Sequence, residues 1–156
     1  MPRGIALLVL LLGITWSMLL LPWVSIEEKT LTGSDISQVL VSLPAIAILM
    51  ALIALYRKFP RSLMLACAAV MISASYLAFA TDFTLSPASL QMQESVTGLA
   101  GESSLGEQTF WPSVFGSLSA ISALMSLWVS FLPVSSKSRV DEPRSDDSRS
   151  IWDEQL

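Results

Sequence analysis

The sequence predicts an all-α membrane protein of four transmembrane helices, with both termini cytoplasmic and a disordered cytoplasmic tail. Three observations predict this. Of 156 residues, 53% are hydrophobic and only 14% charged, against about 25% charged in a soluble domain. The apolar residues fall in long blocks rather than at amphipathic spacing. All lysines and arginines but Lys29 fall at the termini or in the connection between the second and third blocks. The mean hydropathy of +0.62 agrees.

Each block is long enough to cross a bilayer, which takes about 20 mostly apolar residues. The predicted helices span residues 4–24, 39–56, 62–81 and 111–132, and none contains Asp, Glu, Lys or Arg. A single charge at a helix centre costs about 2.5–3.5 kcal/mol on insertion scales. Residues 1–134 are thus read as the transmembrane domain.

The first block is read as a retained helix and not a cleaved leader. A signal peptide carries an apolar region of about 7–15 residues and small residues at a cleavage site. Here the apolar run is longer, and LLPWVSIEEK offers no such pair. Trp23, and Trp111 at the start of the fourth block, are expected as interfacial anchors at headgroup depth.

Orientation follows from the basic residues. Arg3, Arg57, Lys58, Arg61, Lys137, Arg139, Arg144 and Arg149 lie on one side, and Lys29 alone lies on the other. The positive-inside rule places both termini in the cytoplasm and the protein in the plasma membrane as a multi-pass chain.

Between the third and fourth blocks, SPASLQMQESVTG carries a helix-start signature: Ser86 as cap, Pro87 at the first position and Gly98 as stop. A helix here would lie on the membrane surface through Leu90, Met92 and Val96; a flexible loop is the competing reading, given Gly98, Gly101 and Gly106. From Ser135 the composition changes to SSKSRVDEPRSDDSRSIWDEQL, which has little to bury, so residues 135–156 are expected to be disordered. Ile151, Trp152 and Leu156 are its candidate docking motif for a protein partner.

Small residues four apart let helix backbones approach. The pairs Gly13/Ser17, Ala47/Ala51, Ala69/Ser73 and Gly116/Ala120 give one candidate packing site per helix. Pro44 removes a backbone hydrogen bond from the second helix and predicts a kink there. Intramembrane hydroxyls such as Thr15, Ser75 and the serines of the fourth helix are read as packing groups that bond to a preceding turn or a neighbouring helix.

Candidate chemistry is sparse. With no histidine and a single cysteine, Cys67, no metal site is expected, and none of the phosphate-loop, dinucleotide or nucleophile-elbow signatures is present. No catalytic or cofactor-binding residue is assigned and no cofactor is expected. The net charge of −4 argues against a nucleic-acid partner. The expected partners are the lipid bilayer and a protein at the cytoplasmic tail.

The order of parts resembles a family of actinobacterial tryptophan-associated (Trp-operon) transmembrane proteins. The likeness rests on Thr15–Trp16 and Pro22–Val24, the basic turn YRKFPR, Phe110–Pro112 and the closing IWDEQL. That family is named by gene neighbourhood and has no settled activity, so the resemblance implies membrane location and an association with tryptophan metabolism. The resulting expectation is a non-enzymatic accessory or scaffold protein. The alternative is a component of an oligomeric transporter for a small, aromatic solute.

Overall fold

The computed structural model describes residues 2–56, 60–98 and 106–132. Among these, α1 is Pro2–Ser17, β1 is Pro22–Ile26, β2 is Lys29–Thr32 and α2 is Gly33–Ile36. Then follow α3 at Gln38–Tyr56, α4 at Pro60–Ala80, α5 at Pro87–Thr97, β3 at Glu107–Gln108 and α6 at Trp111–Phe131. The chain is mostly helical, and α1, α3, α4 and α6 are long and apolar enough to cross a membrane.

Those four form a bundle in which α1 packs on α3 and α6, and α4 packs on the same two. The bundle is apolar on the outside. Leu49, Leu65, Ile72, Leu124 and Trp128 are exposed, while Ala47, Ala51, Cys67, Ala74, Ser122 and Ser126 are buried. Small residues inside and large apolar ones outside is the distribution expected when lipid, not water, is the solvent. Gly4, at the start of α1, lies within reach of Val129 and Leu132 at the end of α6. Arg3, Arg61 and the C-terminal end of α6 therefore share one end of the bundle.

The opposite end carries a structured cap that the sequence reading treated as loops. β1 is central in a three-stranded antiparallel sheet of order β2-β1-β3. The connection between α1 and α3 supplies β1 and β2, and the connection between α4 and α6 supplies β3. Thr109 fastens them further: its N–H donates to the Trp23 carbonyl at 2.9 Å, and its hydroxyl donates to the Pro22 carbonyl at 2.7 Å.

The first predicted helix, 4–24, is correspondingly too long. The α-helix ends at Ser17, a 3-10 turn covers Met18–Leu20, and Leu21 is extended at φ −85, ψ 157. The residue before a proline is pushed out of the helical region, so Pro22 ends the helical path and starts the strand. The other helices fall close to expectation, and α3 runs unbroken through Pro44.

The helix signature at residues 86–98 is realised as α5. The Ser86 hydroxyl accepts from the Ser89 N–H at 3.2 Å, Pro87 occupies the first turn, and Gly98 takes a left-handed φ of 69. Its buried residues are Ser89 and Gln93, with Ala88 and Met92 packed against the cap core. That inward face sits on protein.

Candidate functional site

The core divides in two. In the bundle, Leu8, Leu12, Ala51, Met64, Cys67 and Met71 pack together. Beneath the cap, Leu19, Trp23, Val24, Ile26, Leu40, Phe83 and Phe115 form the second cluster. Trp23 is its centre. The indole meets Phe83 at 5.0 Å, near edge-on, and Phe115 at 5.3 Å, geometries favoured by the ring quadrupoles. Its N–H donates to the Met18 carbonyl at 3.1 Å.

Trp23 was expected as an interfacial anchor, and the structure corrects this: it is 0% exposed. The cause is a bulge. Pro22 pairs with Thr32 and Val24 with Leu31, which leaves Trp23 as the extra residue in β1. A bulge breaks strict alternation, so Trp23 and Val24 both face the core, with Ile26 two residues further on. Trp111 is half-buried and lies against Phe110 at 4.4 Å.

The expected packing pairs divide. Ala47 and Ala51 are fully buried in the bundle core. Gly116 is buried, and its neighbour is Phe79 of α4; the Ser75 hydroxyl donates to the Gly116 carbonyl at 2.9 Å across the same seam. Ala120 is half-buried beside it. Ala69 and Ser73 are exposed, with the Ser73 hydroxyl turned back onto the Ala69 carbonyl. Ser17 is exposed too, and a Cβ on Gly13 would meet nothing within 4 Å. Those two pairs lie off the contact because the inward faces of α1 and α4 are set by Leu8, Leu12, Cys67 and Met71 instead. The docking residues Ile151, Trp152 and Leu156, with the whole predicted tail, lie outside the described residues.

A polar line runs down the buried face of α6: Ser119, Ser122, Ser126 and Ser130. Most of these hydroxyls are satisfied within the helix. Ser122 donates to the Leu118 carbonyl, Ser126 to the Ser122 carbonyl and Ser130 to the Leu127 carbonyl. Ser126 also reaches Cys67 Sγ at 3.5 Å, and that thiol lies 3.7 Å from the Ala47 carbonyl. Ser119 Oγ is buried with no hydrogen-bond partner among the described residues. Its spacing from the other serines was legible in sequence; its lack of a partner was not.

Two of the concavities lie wholly among the described residues. One, of about 360 Å³, lies between α4 and α6 and is lined by Ile72, Ser75, Tyr76, Ala120, Ala123, Leu124 and Leu127. The other, of about 430 Å³, opens where α3 begins and α4 ends, bounded by Ile36, Ser37, Val39, Leu40, Leu77, Thr81, Asp82, Phe83, Leu85, Ser86 and Pro87. Among the described residues, no three His, Cys, Asp or Glu side chains come together to hold a metal ion. In comparisons with known proteins, no family model, curated protein or solved structure matches this chain.

Proposed function

We propose that the chain is a non-enzymatic accessory or scaffold of the plasma membrane, with both termini cytoplasmic and the sheet-bearing cap outside. The observation that carries this reading is the cap itself. Two connections distant in sequence are fastened into one sheet, seated on an aromatic core to which α3, α4 and α6 contribute Leu40, Ala74 and Phe115. Its rim is acidic, with Glu27, Glu28, Asp35, Asp82, Glu94 and Glu107 all exposed. A packed, charged platform is suited to presenting a surface. The internal polar groups also support it, since most are consumed by neighbouring carbonyls. The association with tryptophan metabolism enters only through the sequence resemblance.

The transporter alternative needs a polar face shared between subunits. The α6 serines at 119, 122, 126 and 130 face into the bundle, which leaves Ser113 and Ser117 as the exposed hydroxyls of that helix. That arrangement favours the scaffold reading. Co-purification from native membranes tests it, comparing the full chain with one truncated before Ile151. A partner held by the full chain and lost on truncation is expected. Uptake of tryptophan or indole by proteoliposomes holding the purified protein would overturn it.

A further inference from the structure

We infer that the pocket between the start of α3 and the end of α4 binds one membrane lipid with a primary-amine headgroup. It lies where Gln38 opens α3 and Ala80 closes α4, which is the boundary of the bilayer for a bundle that spans it. Its volume, about 430 Å³, falls in the range of ligand sites, about 300–1,000 Å³.

The lining is segregated by polarity. Leu40 and Phe83 form a buried apolar floor, and Phe83 packs edge-on against Trp23 at 5.0 Å. Val39 and Leu85, at the mouth, are 59% and 49% exposed, and Val39 continues into the apolar wall of α3. An acyl chain can thus enter sideways from the bilayer without crossing a polar barrier. Thr81 and Asp82 mark the polar rim.

Charge selects the headgroup. Asp82 Oδ1 accepts from the Thr84 N–H at 3.0 Å and from the Thr84 hydroxyl, while Oδ2 has no partner among the described residues. That oxygen is left to accept from an ammonium group. Lys29 is the only basic residue in the two connections at this end of the bundle, so Asp82 is the charge that discriminates between headgroups in the pocket. The site depends on the membrane-spanning bundle and not on the scaffold role.

The test is lipid retention by native mass spectrometry. Full-length protein in detergent is offered equimolar phosphatidylethanolamine and phosphatidylglycerol with identical chains. An exposed ion pair is worth about 0.2–1 kcal/mol, so retention of the amine lipid about threefold over the anionic one is expected. Asp82→Asn keeps the cap on Thr84, since Asn and Asp cap equally well, and should bring the ratio to about one. Glu28→Gln removes an acid of the same end outside the pocket and should leave the ratio unchanged. Val39→Trp, which obstructs the mouth, should lose both lipids while its thermal unfolding stays that of the parent. Equal retention by the parent, an unchanged ratio in Asp82→Asn, an equal fall in Glu28→Gln, or full retention by Val39→Trp would each overturn the site. The same loss of both lipids with a lowered unfolding temperature is settled by Leu85→Trp at the opposite lip; retention by that variant also overturns it.

Discussion

Gly33 lies flat against the Trp23 indole: a Cβ built on it would stand 2.6 Å from Cε2 and 2.9 Å from Cδ2. The indole has no room to retreat, because Phe83 and Phe115 enclose it and it is fully buried. Gly33→Ala therefore overpacks the cap core, which costs about 1–3 kcal/mol. Thermal unfolding in detergent, followed by tryptophan fluorescence, measures this. An unfolding temperature equal to the parent's would show that the cap is loosely packed.

Gly116 makes the same kind of contact with a different consequence. Its Cβ would fall 2.7 Å from Phe79 Cε2, but Phe79 is 59% exposed on the lipid side of α4. The ring can swing outward, and Ala gains about 1 kcal/mol of helix propensity over Gly. Gly116→Ala should thus be nearly neutral, within about 0.5 kcal/mol, and clearly milder than Gly33→Ala. Leucine cannot be accommodated by a ring flip alone, so Gly116→Leu should destabilise more than Val129→Leu. The reverse order in either comparison sinks the argument.

The contrast between bundle and cap explains what the sequence disclosed. The four spans were legible because lipid imposes one rule on every residue of a helix, and charges such as Glu27 and Lys29 cannot enter. α5 was legible because Ser86, Pro87 and Gly98 act locally. The sheet was not. Residues 22–26 lack clean alternation because the bulge turns Trp23 and Val24 the same way. Its third strand comes from about eighty residues downstream, a pairing no local pattern encodes. Trp23 was misplaced for the same reason: a tryptophan after an apolar run reads as an anchor until Phe83 and Phe115, both remote in sequence, close over it.

The β1–β2 turn is strained at one residue. Glu27 is the only non-glycine with positive φ among the described residues, at 53. A side chain in this region costs about 1–2 kcal/mol, and glycine avoids that at some entropic cost in the unfolded chain. Glu27→Gly should stabilise the cap by about 0.5–1 kcal/mol. Glu28→Gly, at a residue without positive φ, should destabilise it slightly. Unfolding midpoints for the pair decide the matter, and destabilisation by Glu27→Gly would mean its carboxylate holds the turn.

The serines of α6 give opposite signs for one chemical change. Ser126 Oγ donates to the Ser122 carbonyl at 2.9 Å and touches Cys67 Sγ. Removing it breaks a contact between α6 and α4, and such interhelical hydrogen bonds average about 0.6 kcal/mol in membrane proteins. Ser126→Ala should destabilise by about that amount. Ser119 Oγ is equally buried and bonds to nothing among the described residues. An unsatisfied buried hydroxyl costs about 1–3 kcal/mol, so Ser119→Ala should leave stability unchanged or raise it by about 1 kcal/mol. The two alanines, compared in one detergent by unfolding under denaturant, separate a hydroxyl that joins helices from one that is merely enclosed. A loss of stability in Ser119→Ala as large as that in Ser126→Ala would show that Ser119 holds a partner of its own, such as an enclosed water.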